Sequence, residues 1–399
     1  MPDSVGEPSR LPTSEVTGRE TLPLRVVADF VAYYLCEVLN VKVAVLMGGR
    51  SGEHQISLRS ARFIMDSLME AGHTVVPIGI TNDGHWLQHP DIQNMLLEGG
   101  DLAQASKVLL DLDFEGQGLV ANGKPLDIDI VFPVLHGPFG EDGTIQGALE
   151  LAGIPYVGSG TLGSALAMDK VQMKAAFRAR NLPVGSYISF LGWEWQEDRR
   201  HIVERIEERL GLPVFVKPAN LGSSVGISKA RSGQELLAAV EEALKYDYKI
   251  IVEAAIRGRE IEVSVLGNEY PRASVPGEIV PASDFYDYKA KYIDERSRLI
   301  IPAKLNEVVV ARARELALAA FTAVDAVGLA RVDLFVQGDG SVLINEINTM
   351  PGFTAISMYP KLWEASGISA PRLVSKLIDL GLAWHSRRLQ LQHKYEENS

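Results

Sequence analysis

The sequence predicts an α/β and α+β protein in which an N-terminal domain, built on an open parallel sheet, is followed by two antiparallel α+β lobes. Strand-like and helix-like runs alternate from residue 41 to 155, as expected of right-handed crossovers. Beyond residue 156, strand signals are joined by short glycine-rich turns, which is typical of antiparallel pairing. The chain has 399 residues, enough for several domains. The expected segments are a partly disordered extension over 1–40, the α/β domain over 41–155, a central lobe over 156–255, a C-terminal lobe over 256–385 and a tail over 386–399.

The N-terminal domain opens with an apolar run, Val41–Leu46, which is typical of a buried parallel strand. A glycine-rich turn, a helix from about Ser57 to Ala71 and a strand over Thr74–Ile80 are expected to follow. A second buried strand, Ile128–Leu135, ends in the loop HGPFGEDG over 136–143. Because ligands bind at the carboxyl edge of such sheets, this loop is predicted to line a site.

The segment before the first strand has a different character. Residues 1–20 are predicted to be disordered, and residues 22–39 fit an amphipathic helix. Since the first strand begins so abruptly, the first 40 residues are interpreted as an appended segment or as the product of a start site placed too far upstream.

The central lobe is predicted from a capped helix and a strand pair. Asp169 is expected to cap a helix over Lys170–Arg180, which Asn181 and a following proline end. Strands over Val214–Pro218 and Ile227–Ala230 flank a turn of glycine and serine. In the C-terminal lobe, the expected elements are a strand over Glu260–Leu266, a helix over Asn306–Val327 and a hairpin over Leu329–Ile347.

The composition of the chain excludes several classes of protein. With 51 acidic and 39 basic residues the net charge is -12, so the surface as a whole repels nucleic acid and anionic lipid. The single cysteine, Cys36, allows no internal disulfide and no multi-thiolate zinc site, which fits a reducing compartment. No stretch approaches the roughly 20 apolar residues of a membrane span, and the N-terminus does not resemble a signal peptide. We therefore expect a cytoplasmic protein that binds neither nucleic acid nor a membrane.

Two motifs match the patterns of other enzyme classes. Residues 118–125 nearly fit a Walker phosphate loop, but a proline replaces the Mg²⁺-binding Ser or Thr, and Asn122-Gly123 is typical of a hairpin turn. Residues 222–226 fit the hydrolase pattern G-x-S-x-G, yet a nucleophile elbow leads into a helix and this turn lies between two strands. Backbone N–H groups and the hydroxyls of Ser223 and Ser224 can instead contact phosphates, with an ordinary hairpin loop as the alternative.

The strongest chemical signal lies in the hairpin of the C-terminal lobe. Asp339-Gly340 is typical of a two-residue type I′ turn. With that turn at the tip, Asp333 pairs with Glu346 and Arg331 pairs with Asn348, all on one face. Opposed carboxylates repel unless a cation compensates them, and carboxylate and amide oxygens are the ligands that Mg²⁺ prefers. The hairpin is therefore predicted to hold one or two Mg²⁺ ions, an exposed charged hairpin being the alternative.

The same register predicts an apolar strip on the face of the metal site. Phe335 is expected opposite Ile344, where the two side chains can pack beneath an aromatic base. The other face is expected to be buried in the core, and its residues are Val332, Leu334, Val336, Leu343 and Ile347.

Two lysines are candidates for binding phosphate. Lys217 ends a strand immediately before the glycine and serine turn, and Lys170 opens a helix whose N-terminus favours anions. A solvated lysine is the ordinary alternative at each position.

Six motifs occur together in one order, at residues 47–57 (MGGRSGEHQIS), 136–147 (HGPFGEDGTIQG), 168–170 (MDK), 217–226 (KPANLGSSVG), 286–292 (YDYKAKY) and 345–354 (NEINTMPGFT). On these motifs the chain, from about Val41 to Leu382, resembles the D-alanine-D-alanine ligases of the ATP-grasp superfamily. The resemblance implies the ATP-grasp fold, with an N-terminal pre-ATP-grasp domain and two antiparallel lobes that hold ATP between them. It also implies homodimers formed through the N-terminal domain.

The resemblance implies ATP and two Mg²⁺ ions, which Mn²⁺ can replace, as cofactors. The turn over 222–226 becomes a lid over the phosphates, and residues 284–295 become a second lid. The metal ligands implied are Asp333, Glu346 and Asn348, the same residues that the hairpin register predicts. The expected nucleotide-binding residues are Lys170, Lys217, Ser223, Ser224, Glu253, Ala254, Ile256, Glu260, Lys291, Phe335, Asn345 and Glu346.

The implied reaction joins two D-alanine molecules through a D-alanyl phosphate, for peptidoglycan precursor synthesis. Arg331 and the backbone N–H of Gly352 would donate to the tetrahedral oxyanion, and Glu53 would hold the first ammonium group. The implied catalytic residues are Glu53, Ser223, Arg331, Gly352 and Tyr292. The implied substrate-binding residues are Glu53, His136 at the first carboxylate, Arg331, Gly352 and Ser357 at the second carboxylate.

The acceptor depends on the second lid. Related ligases that form an ester with D-lactate carry a histidine at the position of Tyr292, so a tyrosine there favours D-alanine. A D-alanine-D-lactate or D-alanine-D-serine ligase would have the same fold and is the alternative. A non-catalytic ATP-binding module is a remote alternative, because such a module is expected to lack Glu53, Arg331 or the metal ligands.

Overall fold

The computed structural model describes residues 40–222, 225–280 and 298–392. Its first sheet has the strand order β6-β5-β4-β3-β2-β1-β7. Strand β1 pairs in parallel with β2 and β7, so the predicted open α/β sheet is confirmed, and an antiparallel ribbon of β3 to β6 extends it. In chain order the elements are β1 (Lys42–Gly48), α1 (His54–Glu70), β2 (Thr74–Ile80), β3 (Trp86–Gln88), α2 (Ile92–Glu98), β4 (Ser106–Leu110), β5 (Leu119–Ala121), β6 (Lys124–Pro125), β7 (Ile130–Val134) and α3 (Thr144–Leu151).

The motif that resembles a Walker loop is a hairpin, as predicted. Asn122 and Gly123 join β5 to β6, and both have positive φ, at 52° and 74°. A type I′ turn needs positive φ at both central residues, which explains why Asn and Gly stand there.

The second sheet is antiparallel, with the strand order β10-β9-β11-β8. The side chain of Asp169 accepts hydrogen bonds from the backbone N–H groups of Val171 and Gln172, which confirms the predicted helix cap. The elements of this part are α4 (Thr161–Met168), α5 (Lys170–Ala179), β8 (Tyr187–Leu191), α6 (Gly192–Glu197), α7 (Arg199–Leu210), β9 (Val214–Pro218), β10 (Ser228–Ala230), α8 (Gly233–Ala243) and β11 (Lys249–Ala254).

The third sheet has the order β15-β14-β12-β16-β17, with β13 paired to β12. Helix α9 packs on one face, while α11 returns to the first sheet and packs on α1. The elements are β12 (Arg259–Gly267), β13 (Arg272–Ala273), β14 (Gly277–Val280), β15 (Arg298–Ile300), α9 (Glu307–Ala323), β16 (Gly328–Val336), β17 (Val342–Asn348), α10 (Met358–Ala365) and α11 (Ala370–Leu389). Among the residues described, none of the helices is long and apolar enough to cross a membrane.

The β16–β17 hairpin corrects the predicted turn. Gln337 N donates to Ser341 O at 2.9 Å, so the loop has three residues, 338–340, rather than two. Only Gly340 in this loop has a positive φ, of 86°, whereas a type I′ turn needs two such residues. The Asp339 side chain accepts from Ser341 N at 2.9 Å and fixes this shape.

A β-bulge follows and restores the register. The pairing of β16 with β17 shifts by one residue between Asp333 and Leu334, which leaves Asn345 as the extra residue of β17. Phe335 therefore lies opposite Leu343, and the prediction that it faces Ile344 was wrong. Leu343, predicted to lie in the core, is instead half-buried on the face of Phe335. Ile344, predicted to lie on that face, is buried in the core.

Candidate active site

Two neighbouring strands, β16 and β17, place the predicted metal ligands on one face of the third sheet. Asp333 lies opposite Glu346 on one side and opposite Glu262 of β12 on the other. Arg331 lies opposite Asn348 in the next cross-strand row. The predicted pairing of Asp333 with Glu346 is confirmed, and the row contains three carboxylates rather than two.

Arg331 compensates the charge of this row. Its guanidinium forms two hydrogen bonds to the Asp333 carboxylate, each of 2.7 Å. Its Nε also lies 3.1 Å from Oε2 of Glu262, a buried carboxylate that the sequence analysis did not single out. The alternation of charged and apolar residues in β12 was the signal that could have found Glu262, because it places Glu260 and Glu262 on one face.

The donor set fits a hard cation. Asp333 and Glu346 supply carboxylate oxygens from directly opposed positions, and Asn348 adds an amide oxygen that accepts from Met350 N at 3.1 Å. Over the described ranges, His, Cys, Asp and Glu form no group of three arranged for a metal. The third predicted ligand is the amide of Asn348.

Three lysines approach the carboxylates from the central part of the chain. Lys170 Nζ donates to Leu221 O at 2.7 Å and lies 4.0 Å from Oε2 of Glu346. Lys217 and Lys174 both pair with Glu253, at 2.5 Å and 2.8 Å. The structure thus brings Lys170 and Lys217, the two lysines proposed for phosphate, to the same region as Glu346.

The charges of this cluster stabilise one another. Burial on its own would raise the pKa of Glu253, but the Lys174 and Lys217 ammonium groups hold that pKa well below its ordinary value. Burial would lower the pKa of Lys217, yet the carboxylates of Glu253 and Glu346 raise it above its ordinary value. Lys217 is therefore charged at neutral pH, as a phosphate ligand must be.

The residues expected around adenosine lie where the second and third sheets meet. Glu253 and Ala254 end β11, and Ile256 follows in the link to β12. Glu260 of β12 lies opposite Phe335, whose ring shares its face with Leu343. These side chains are mostly half-buried, and Asn345 is at the bulge beside them.

Glu53 lies at the start of α1 and is surrounded by close backbone approaches. A Cβ atom at Gly137 would lie 2.5 Å from Oε2 of Glu53, and one at Gly222 would lie 2.9 Å from the same oxygen. A side chain at either position would have to displace the Glu53 carboxylate, and Gly137 in addition has a positive φ of 76°, which favours glycine. The loop over 136–143 and the base of the glycine and serine turn therefore both reach the Glu53 carboxylate, which is 6% exposed.

Glu141 is a second buried carboxyl in this corner. Its Oε1 accepts a hydrogen bond from Gly137 N at 2.8 Å. Burial, together with the neighbouring Glu53 carboxylate, raises the pKa of Glu141 to about 8. The sequence places Glu141 in the site loop, but nothing in the sequence indicates that its pKa is raised.

The raised pKa of Glu141 predicts a pH-dependent stability. Glu141 has an ordinary pKa of 4.5, so the native protein binds more protons than the unfolded chain between that pH and about 8. Relative to Glu141→Gln, the free energy of unfolding of the wild-type protein is expected to fall as the pH rises from about 5 to about 8. Urea unfolding of both proteins across this range measures the difference. A difference that is constant, or that increases with pH, would contradict the raised pKa.

His136 is buried and both ring nitrogens have protein partners. Nδ1 lies 3.1 Å from Met350 O, and Nε2 lies 3.1 Å from Ser60 Oγ. A carbonyl oxygen only accepts, so Nδ1 carries the proton, and burial keeps the pKa of His136 below its ordinary value although Glu53 opposes this. In this structure, His136 anchors the segment that leads to Gly352.

Gly352 and Ser357 lie on the same turn. A Cβ atom at Gly352 would lie 3.2 Å from Ser357 Oγ, and Ser357 Oγ accepts from Thr354 N at 3.0 Å. Phe353 N donates to Ser60 Oγ at 3.3 Å, which ties the turn to α1 and hence to Glu53.

Of the expected site residues, Ser223, Ser224, Lys291 and Tyr292 lie outside the described residues, as does the segment over 284–295.

Comparison with known proteins agrees with this geometry. The family described as D-ala D-ala ligase N-terminus matches residues 42–159, and the D-ala D-ala ligase C-terminus family matches residues 176–379. A D-alanine--D-alanine ligase of Natranaerobius thermophilus is 51% identical over 356 residues, which are 86% of this chain and 95% of the relative.

The solved structures similar to this chain include two ligases of different acceptor. The D-alanine-D-alanine ligase of Coxiella burnetii has a TM-score of 0.78 and 36% identity, over 88% of this chain and 96% of that one. The VanG D-Ala:D-Ser ligase of Enterococcus faecalis has a TM-score of 0.77 and also 36% identity, over 86% of this chain and 99% of that one.

The three sheets, with lysines and carboxylates converging between the second and the third, define an ATP-dependent ligase of the ATP-grasp fold. The matched families and the identity to curated relatives make the assignment specific. The chain belongs to the D-alanine-D-alanine ligase family.

Proposed function

We propose that this chain uses ATP to join two D-alanine molecules into D-alanyl-D-alanine for peptidoglycan precursor synthesis. The observation that carries the proposal is the convergence of Lys170 on Glu346, which itself lies opposite Asp333. Phosphate-binding cations and metal-binding carboxylates at one point are what phosphoryl transfer to a carboxylate needs. Relatives about half identical to this chain are D-alanine-D-alanine ligases, which supports the substrate.

In the first step, a carboxylate oxygen of the first D-alanine attacks the γ-phosphorus of ATP, and ADP leaves. Lys170 and Lys217 hold the phosphates, and Glu53 holds the ammonium group of this D-alanine. Asp333, Glu346 and Asn348 would hold Mg²⁺ ions, or Mn²⁺ in their place, which would supply positive charge to the phosphate oxygens. The product is D-alanyl phosphate, whose carbonyl carbon now carries a good leaving group.

In the second step, the amine of the second D-alanine attacks that carbonyl carbon, and inorganic phosphate leaves. The tetrahedral oxygen gains negative charge, which Arg331 and the Gly352 N–H stabilise. Ser357 binds the second carboxylate, and His136 keeps the turn with Gly352 in place. By the resemblance to the family, Ser223 and Tyr292 would link the lids to Glu53, and closed lids would exclude water that hydrolyses the acyl phosphate.

The remaining expectations belong to this proposal as well. The segment boundaries at residues 40, 155, 255 and 385, the homodimer and the cytoplasmic location rest on the sequence and on the family. The adenosine contacts of Glu253, Ala254, Ile256, Glu260 and Phe335 rest on where these residues lie, at the junction of the second and third sheets.

The acceptor is the finer question, because the solved D-Ala:D-Ser ligase is as similar to this chain as a solved D-alanine-D-alanine ligase is. We expect D-alanyl-D-alanine and ADP to predominate when the protein is incubated with Mg-ATP and equal amounts of D-alanine, D-serine and D-lactate. Mass spectrometry of the products separates the outcomes. A predominant ester or D-alanyl-D-serine would overturn the role of Tyr292 in selecting D-alanine as acceptor, but would keep the acyl phosphate mechanism. Bound ATP without any product would leave only the alternative of a non-catalytic ATP-binding module.

A further inference from the structure

A third lysine in the cluster takes no part in the proposed steps. Lys174 is 2% exposed and lies one turn beyond Lys170 on α5. Its Nζ donates to Asn345 O at 2.7 Å and pairs with Oε1 of Glu253 at 2.8 Å. A buried ammonium group needs partners of this kind, and both partners border the nucleotide and metal site.

The first partner is the bulge of β17. The extra residue of a bulge is left unpaired by the strand ladder, so the carbonyl of Asn345 needs another donor, and Lys174 supplies it. The bulge also sets the register that places Glu346 opposite Asp333. If β17 had no bulge, the three-residue turn would place Asn345 opposite Asp333, and Glu346 would not lie at the metal-binding position.

The same face of α5 contacts β17 at two further points. Ile347 N approaches Met173 Sδ at 3.4 Å, and Lys170 Nζ lies 4.0 Å from Glu346 Oε2. Residues 170, 173 and 174 share one helix face, so the first part of α5 lies along β17 at the bulge. Lys174 is the residue of this face that bonds to the bulge carbonyl itself.

The second partner connects the bulge to the phosphate site. Glu253 accepts from Lys174 through Oε1 and from Lys217 through Oε2. A continuous series of contacts thus joins the Asn345 carbonyl, Lys174, Glu253 and Lys217. It links the strand that carries the metal ligand Glu346 to the strand that carries a phosphate lysine.

We propose that Lys174 is a positioning residue, which holds the bulge so that Glu346 reaches the metal and holds Glu253 so that Lys217 stays at the phosphates. This inference rests on the proposed function of the site. A lysine whose only role is to neutralise Glu253 in the core would affect folding but not the affinity for the metal.

The test is the affinity of the Lys174→Met variant for Mn²⁺ in the presence of ADP, measured by electron paramagnetic resonance. Methionine keeps the length of the side chain and removes its donor and charge. We expect the Mn²⁺ affinity to fall about tenfold or more, as for other residues that orient metal ligands. Lys174→Arg keeps the charge and the donors, and is expected to recover part of that affinity.

Lys376→Met is the matched control, because Lys376 is a largely buried lysine on α11, 9% exposed, and its described electrostatic neighbours are Arg372, Asp379 and Arg272. We expect it to change stability and to leave Mn²⁺ affinity as in the wild type. A folded Lys174→Met variant with wild-type Mn²⁺ affinity would overturn the inference. So would an equal loss of affinity in Lys376→Met.

If Lys174→Met alone does not fold, the double variant Lys174→Met with Glu253→Gln avoids an unpaired buried carboxylate. It is compared with Glu253→Gln alone, which keeps the bond from Lys174 to the bulge. Weaker Mn²⁺ binding in the double variant supports the inference, and equal binding overturns it. Because Mn²⁺ and ADP binding is measured without turnover, a failure here is distinct from a wild-type protein that forms no dipeptide.

Discussion

Replacing Arg331 by alanine is expected to lower kcat by a factor of about 10² to 10³, the usual loss when one oxyanion donor is removed. Arg331 is the only side chain proposed as a donor to the tetrahedral oxygen, the other donor being the backbone N–H of Gly352. Initial rates of ADP release at saturating substrates measure the loss. A turnover within a few-fold of wild type would exclude the oxyanion role.

The surroundings of Arg331 make this test more specific. The guanidinium is hydrogen-bonded to Asp333 and close to Glu262, so it competes with any cation for the carboxylates of that row. Arg331→Ala is therefore expected to lower turnover without weakening the affinity for Mg²⁺. A parallel loss of Mg²⁺ affinity would mean that the arginine orders the metal ligands instead.

A matched arginine is available as a control. Arg388 of α11 forms an ion pair with Glu150 at 2.6 Å, and neither belongs to the proposed site. Arg388→Ala removes a partly buried guanidinium and its carboxylate pair in the same way. We expect it to lower stability and leave kcat near its wild-type value, which separates loss of a catalytic donor from loss of an ion pair.

The hairpin shows how far the sequence could predict the site. The pairing of Asp333 with Glu346 followed from a two-residue turn, and the actual turn has three residues. The bulge at Asn345 adds one residue to β17. Farther from the turn than the bulge, this extra residue cancels the one-residue error in the predicted register. Between the turn and the bulge, the error remains. The metal row was therefore predicted correctly and the apolar row, with Phe335, was not.

The bulge could not be predicted, because the group that donates a hydrogen bond to its carbonyl lies far away in the sequence. The carbonyl of Asn345 is satisfied by Lys174, which is 171 residues earlier in the chain. Local patterns predict the elements, as with Thr74–Ile80 and Val214–Pro218, whose bounds the structure reproduces. Contacts between sheets decide the rest, such as the carboxylate of Glu262 at Arg331 and the burial of Glu141 beside Glu53.

Replacing Glu346 by glutamine is expected to weaken the binding of Mg²⁺ at the carboxylate row. The amide keeps the shape and one oxygen donor but removes a charge, and ligand charge tunes the affinity of oxygen sites over orders of magnitude. We expect the Mg²⁺ concentration for half-maximal activity to rise by about one to two orders of magnitude. Titration of activity with Mg²⁺ at fixed, saturating ATP measures it.

Asp339→Asn is the matched control, since it makes the same acid-to-amide change at the exposed tip of the same hairpin. Its effect on the Mg²⁺ titration is expected to be small, because Asp339 contacts only Ser341 of the turn among its hydrogen-bond partners described. Glu346 also helps to raise the pKa of Lys217, so the substitution changes the charge beside the phosphate site as well. An unchanged Mg²⁺ titration in Glu346→Gln would therefore remove the metal from this row of carboxylates, and with it the argument that the bulge exists to place Glu346 opposite Asp333.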